Sequence, residues 1–168
     1  MSPIHLDPAV AILAFVTLQR LAELAIARRN TRRLLARGAH EVGAGHYPLI
    51  VALHGAWLAG LWWLAPGRPL IWPLVVAYFL LQPLRLWVLA SLGGRWTTRI
   101  IILPGAPLVR SGPFRLVRHP NYAIVVAEIA LLPLAFGLWE IAVVFSLLNA
   151  AVLAIRIRAE QEALRASL

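Results

Sequence analysis

With 168 residues, 61% of them hydrophobic and only 14% charged, the chain cannot build the surface of a water-soluble domain, in which about a quarter of residues carry charge. The formal charge of +9 comes from arginines that cluster between apolar runs, so it reads as a topology signal and not as a nucleic-acid footprint, which needs a soluble basic patch. There is no cysteine, which excludes disulfides, thiolate metal sites and a cysteine nucleophile.

Taken in chain order, five apolar segments lie near the roughly 20 residues that a spanning helix needs. The first, Pro8 to Ala27, follows a stretch (Met1 to Pro8) without the basic region of a secretory signal. It also contains Gln19, Arg20 and Glu23 with no small-residue cleavage site, so it is read as a retained helix. Polar groups inside a span need a partner or a function. Arg20 and Glu23 are three apart and Gln19 and Glu23 four apart, so they can satisfy one another on one helix face; contact with a substrate is the other reading. The second segment, Tyr47 to Leu64, begins beside His46 and carries His54, either a proton acceptor for a substrate or a hydrogen-bonded packing residue; His46, nearer the proposed chemistry, ranks above it. The third, Leu70 to Leu92, presents Gln82 and Arg85 on one face. The fourth, Asn121 to Phe136, carries Glu128 roughly 10 Å from its start at 1.5 Å per residue, and an Arg85 to Glu128 pair across the bundle is expected. Only Gly137 separates the fourth segment from the fifth, Leu138 to Ile157. The two should form a tight helical hairpin with Glu140 near its tip.

The connections test this map, because short cytoplasmic loops carry the excess of arginine. The first holds Arg28, Arg29, Arg32, Arg33 and Arg37, and the third holds Arg95, Arg99, Arg110, Arg115 and Arg118. The second has Arg68 alone, the hairpin tip has no arginine, and the tail has Arg156, Arg158 and Arg165. The alternation fits five crossings with the N-terminus outside and the C-terminus cytoplasmic. The fold expected is therefore all-α: one integral membrane domain over 1–168, a polytopic bundle of about five transmembrane helices ending in a hairpin.

The connection from Gly93 to His119 is too long for a bare turn. Pro104, Gly105, Pro107, Gly112 and Pro113 forbid a continuous helix in it, and irregular backbone near a membrane fits where it lines a cavity. Its end, Ser111 to Tyr122, is the densest polar cluster. Asn121 is a good N-cap, and a helix N-terminus beside arginines suits a carboxylate or phosphate; Pro120 holds His119 in an extended conformation. The alternative is a positively charged loop with a helix cap. A second cluster, Arg156 to Glu162, closes the last helix, and the hairpin brings it to the face that carries Arg118 and His119. There Glu160 and Glu162 can bind ribose hydroxyls or offset a cation, or simply pair with arginines one turn away. No His-x-x-x-His or Glu-x-x-His spacing occurs, so no metal is expected.

Gly112, Pro113, Phe114 and Arg115, then Arg118, His119, Pro120, Asn121 and Tyr122, followed after a hairpin by Arg156, Ile157, Glu160 and Leu164, resemble the isoprenylcysteine carboxyl methyltransferase and phospholipid methyltransferase group of integral membrane enzymes. The resemblance covers 93–164. It implies S-adenosylmethionine as cofactor, enclosed by the Arg-His-Pro-x-Tyr loop and a terminal acidic pair, and a lipophilic small-molecule substrate that arrives from the membrane lipids. Carried over by position, His119, Pro120, Tyr122 and Glu160 would line the cofactor pocket. The usual adjacent Glu-Glu reads Glu160, Gln161, Glu162 here, so Glu162 is a candidate for the second acidic role. The N-terminal half, with Gln19, Arg20, Glu23, Asn30, Gly38, Ala39, Glu41, Gly43, His46, Tyr47, Pro48 and His54, is similar to a bacterial subgroup associated with type III polyketide synthases, which implies hydroxyls of long-chain alkylpyrones as acceptors.

Methyl transfer from a sulfonium is an in-line displacement, so the protein mainly aligns an oxygen with the methyl group and excludes water. A carboxylate or acidic enol is already ionised and needs only steering by an arginine, Arg85 or Arg118. A less acidic hydroxyl needs a base, for which His46 or His119 is best placed. Two other classes stay open. Membrane NADPH-dependent sterol or enone reductases have a similar Arg-His-Pro-x-Tyr loop, and a small transporter or scaffold would use its arginines for topology alone.

Overall fold

The computed structural model describes residues 7–166. The stretch Met1 to Leu6, on which part of the retained-helix reading rests, and the side chain of Leu164 lie outside the described residues. The fold is all-α, five helices with one small sheet: α1 (Pro8–Leu35), α2 (Tyr47–Leu64), α3 (Trp72–Leu92), α4 (Pro120–Ala135) and α5 (Trp139–Ala166), with strands β1 (His40–Val42) and β2 (Ile100–Ile102).

Local chemistry explains the helix starts. Asp7 caps α1, its Oδ1 accepting from the Ala9 N–H at 2.9 Å, and each of α1 to α4 has a proline in its first two positions, where a missing N–H is harmless. That preference corrects one expectation. The cap of α4 is His119, outside the helical region at φ −130° and ψ 66°, and Pro120 takes the first helical position. Asn121 is thereby moved inside the helix, where its side chain caps nothing. The α4 to α5 turn is a Schellman closure: Gly137 adopts φ +70°, its N–H donates to Leu134 O, and the Leu138 N–H donates to Pro133 O. Two helices outrun their apolar segments. α1 continues past Ala27 because Arg28, Arg29, Arg32 and Arg33 stay exposed while Asn30 and Leu34 are buried, and α5 continues past Ile157 to Ala166.

Hydrogen bonds between distant segments define two ends of the bundle. At the arginine-poor end, Asp7 Oδ2 accepts from the Gly67 N–H at 2.7 Å and the Ile71 N–H donates to Ala135 O at 2.9 Å. The start of α1, the α2 to α3 turn and the hairpin tip therefore meet there. At the arginine-rich end β1 pairs antiparallel with β2, Glu41 opposite Ile101, and Asn30 Nδ2 donates to Trp96 O at 2.8 Å. The first and third connections thus lie on one side, as the arginine alternation requires.

Segments 8–35, 44–64, 72–95 and 139–163 are long and apolar enough to cross a membrane. α4 is apolar but has 16 residues, about 24 Å at 1.5 Å per residue. Its ends nevertheless lie at opposite ends of the bundle, and burial of Ile124, Glu128, Ile129 and Leu132 makes it the central post. Pro133 has no N–H to offer Ile129 O, and the buried Trp57 supplies a donor instead, Nε1 to O at 3.3 Å, tying α2 to α4. The exterior is apolar, with Leu18, Leu80, Leu86 and Leu147 all more than 60% exposed. Trp63, Trp72 and Trp139 are exposed near the arginine-poor end, where amphipathic rings sit at a membrane boundary.

Candidate active site

Two polar clusters face the interior. The deeper one joins α1, α3 and α4. Glu128, 1% exposed, is gripped by Arg85, whose Nε donates to Oε1 at 3.0 Å and whose Nη2 donates to Oε2. Arg20 Nη2 donates to Oε2 of the same carboxylate at 2.7 Å. Glu23 Oε2 accepts from Arg20 Nη1 at 2.9 Å and Arg85 Nη1 at 3.0 Å. Gln19 and Gln82 close the ring, Gln19 donating to Gln82 Oε1 at 2.7 Å and Gln82 donating to Glu128 Oε1 at 3.2 Å. Two guanidinium groups and two carboxylates cancel, which is how charge survives in an apolar surrounding.

The second cluster sits where the Arg-His-Pro-x-Tyr segment meets the end of α5. The Tyr122 hydroxyl donates to Glu160 Oε2 at 2.5 Å and accepts from Arg156 Nε at 2.9 Å. The His119 ring stacks on Tyr122 with centroids 5.2 Å apart, and its Nδ1 lies 4.0 Å from Glu160 Oε2. The preceding loop is fixed by close packing. Gly112 has φ +57°, and a Cβ there would run into Ser91 and come within 3.1 Å of Trp87 Nε1 on α3. Beside this cluster Arg99 Nη1 is shared between both Glu41 oxygens at 2.8 and 2.9 Å, and the guanidinium lies 4.2 Å from the Tyr47 ring centroid. Hydrogen bonding to Glu41 raises the pKa of the Arg99 guanidinium above its ordinary value, against the opposing effect of desolvation.

A cavity of about 310 Å³ runs between the clusters, walled by α1, α2, α4, α5, Arg85 of α3 and the segment Trp96 to Thr98. Tyr122 and Arg156 line one end, Arg20, Glu23 and Arg85 the other, with His54 and Trp57 contributed by α2. Two lining residues have a buried polar atom without a partner among the described residues: Trp96 Nε1, a donor, and Asn121 Oδ1, an acceptor. Buried polar atoms rarely stay unpaired, so such a pair marks a place for a ligand with both functions.

Of the residues singled out from sequence, Tyr122 lines the cavity and holds Glu160, Pro120 is buried and His119 packs on the tyrosine ring, while Glu160, Pro120 and His119 are not themselves among the lining residues. Arg85 lines the far end with its charge already compensated. His46, Arg118 and Glu162 are not among the lining residues, and Arg118 and Glu162 are exposed. The expected Arg85 to Glu128 pair forms, and the Gln19, Arg20 and Glu23 group forms too, joined to that pair in one network. Sequence reasoning passed over Arg156 as a site residue and over Trp96. Arg156 was already part of the quoted motif, whereas nothing local distinguishes Trp96 among seven tryptophans.

Residues 74–166 match the model of the isoprenylcysteine carboxyl methyltransferase (ICMT) family. The chain is 40% identical over 159 residues to the uncharacterized protein YpbQ of Bacillus subtilis, covering 92% of this chain and 95% of that one. It is 30% identical over 152 residues to an uncharacterized protein of Haemophilus influenzae, covering 86% and 88%. No solved structure matches. The matched segment contains both Tyr122 and Glu160, and with the apolar helices around them the chain is an integral membrane methyltransferase that belongs to the isoprenylcysteine carboxyl methyltransferase family.

Proposed function

We propose that this protein transfers a methyl group from S-adenosylmethionine to an oxygen of a lipophilic acceptor, at the cytoplasmic side of a cell membrane. The observation that carries this reading is the cavity itself, which starts at Tyr122 and Arg156, with Glu160 behind the Tyr122 hydroxyl, and continues into an apolar shaft. The residues present fit the cofactor. Trp96 Nε1 and Asn121 Oδ1 offer the donor and acceptor that an adenine edge needs, and Arg156, which uses Nε on Tyr122, keeps its terminal nitrogens for a carboxylate. When bound, the cofactor supplies an electrophilic methyl group on a sulfonium.

The chain's own part is to hold both partners and exclude water. The charge balance at the deep end narrows the acceptor. Arg20 and Arg85 are both satisfied by Glu23 and Glu128, so a carboxylate arriving there would find no uncompensated cation, and a hydroxyl fits better.

Calorimetry with the full chain in lipid nanodiscs tests the reading: S-adenosylmethionine should bind and NADPH should not. Absence of binding by the wild-type protein would remove the proposal. Sidedness follows from the arginine asymmetry. Because the chain has no cysteine, single cysteines at Glu162 and Arg68 can be labelled in intact cells, and only the Arg68→Cys protein should react with an impermeant reagent from outside.

A further inference from the structure

Resting on that reading, we infer that His54 is the general base that takes the proton from the acceptor hydroxyl. The inference starts from the ring's hydrogen bonding. His54 Nδ1 lies 2.8 Å from Ile50 O, one turn earlier on α2. A carbonyl oxygen only accepts, so Nδ1 carries a hydrogen, and in the neutral ring Nε2 is then left with a free lone pair. Nε2 makes no hydrogen bond among the described residues, and the side chain lines the cavity. A base needs this arrangement: one nitrogen anchored and the other bare, on a side chain that lines the space where a substrate would sit.

Position supports the same role. The bond from Trp57 Nε1 to Ile129 O sets α2 and α4 at a common depth, and both helices run inward from the arginine-rich end. His54 lies three residues before Trp57, about 4.5 Å nearer that end, while Tyr122 lies seven residues before Ile129, about 10 Å nearer it. Glu128 is level with Ile129 to within about 1.5 Å. His54 therefore stands between the Tyr122 corner and the ion cluster, where the donor end of the cavity passes into the acceptor end. His46 and His119, the other histidines near the site, do not line the cavity.

The step balances. The hydroxyl proton passes to Nε2, and an oxygen lone pair forms the bond to the methyl carbon. The carbon–sulfur bonding pair stays on sulfur. One positive charge leaves sulfur as one appears on the imidazole, so the net charge of the cavity is unchanged during transfer, which matters where the surroundings screen poorly. The imidazole then returns its proton to water.

The test uses the full chain in detergent with two acceptors of equal tail length, 4-pentadecylphenol and its 2-nitro derivative, which ionises near neutral pH. His54→Asn keeps a donor for Ile50 O but has nothing at the Nε2 position; His54→Gln is the second variant should the first fold poorly. The expected result is a loss of about 100-fold or more in kcat with the phenol, in the range that general-base catalysis contributes, and of less than tenfold with the nitrophenol. S-adenosylmethionine affinity should stay within twofold, and nitrogen-15 NMR of the wild-type histidines should place the neutral-ring proton of His54 on Nδ1. Equal losses with both acceptors, no loss with either, a weakened cofactor affinity, or a proton on Nε2 would overturn the assignment of the base while leaving the methyl-transfer reading intact. Failure of the wild-type protein to bind the cofactor, or to methylate either phenol, would overturn the reading beneath it and the assignment together.

Discussion

The two polar clusters lie along the same helix, α4, and differ in how they are completed. Around Glu128 every charged group has its counter-charge on another helix of the bundle, and the two glutamines bind the same carboxylates. Around Tyr122 only the phenol is saturated. Glu160 is half-buried, Arg156 retains its terminal nitrogens, and Trp96 and Asn121 keep unpaired buried atoms close by. A charged group with all its partners supplied from within is scaffolding, while one with capacity left over beside a cavity can take a ligand; Gln19 Oε1 in the deep cluster is also unpartnered among the described residues, but it is neutral and does not line the cavity. The same residue types, arginine and glutamate, are thus assigned opposite roles by their remaining hydrogen-bonding capacity and not by their position in the sequence.

The strongest way to break this comparison is to uncover the deep charges. Glu128→Ala leaves Arg20 and Arg85 facing an apolar interior with Glu23 as their one remaining counter-charge. Removing one member of a buried ion network costs about 3–5 kcal/mol. Thermal unfolding in detergent should show that loss, and Glu128→Gln, which keeps the shape, should be nearly as damaging. A loss below about 1 kcal/mol, the scale of an exposed pair, would mean that water reaches the cluster and that the two regions do not differ in kind.

The corner around Tyr122 should respond in the opposite way. Arg156→Ala and Glu160→Ala each remove one charge-assisted hydrogen bond of about 1.5–3 kcal/mol, so S-adenosylmethionine affinity should fall about tenfold to 100-fold by calorimetry, at 1.4 kcal/mol per factor of ten. The melting temperature should change far less than for Glu128→Ala. Glu162→Ala serves as the control on the same helix end. Its side chain is exposed, and the affinity should change by less than twofold, which would give the acidic role to Glu160 alone.

How much of this was legible in the sequence follows from the range of the interactions. The α4 to α5 hairpin could be read because one glycine, Gly137, interrupts an otherwise continuous apolar stretch, and its positive φ closes the turn. The pairing of Arg85 with Glu128 could be read because two charges inside apolar helices must find each other. That Arg20 and Glu23 join the same network could not, since their three-residue spacing satisfies them locally as well. The β1 to β2 pairing was invisible for a different reason: three-residue strands nearly 60 positions apart carry no alternation long enough to detect. Asn121 suits a cap by its side chain, but the ring of Pro120 fixes the helix start two residues earlier, with His119 as the cap.

The weakest effect is expected where the two loops clasp. Arg99 reaches Glu41 through one nitrogen shared between both oxygens, not through a two-nitrogen fork, and its side chain is 40% exposed. Exposed pairs of this kind contribute less than about 1 kcal/mol and weaken as salt is raised, with the Tyr47 ring beneath the guanidinium adding a similar small amount. Arg99→Ala should therefore lower stability by about 1 kcal/mol or less, and the difference from wild type should shrink between low and molar salt. Thr98, next along the chain, lines the cavity and shares a hydrogen bond with Tyr47 at 3.1 Å, so the same variant also reports on the site. If the clasp only holds the loops together, S-adenosylmethionine affinity falls no more than about threefold, under 1 kcal/mol. A drop of tenfold or more would show that closing β1 onto β2 completes the binding corner, and the ligand site would then extend beyond Tyr122, Arg156 and Glu160 to the first connection.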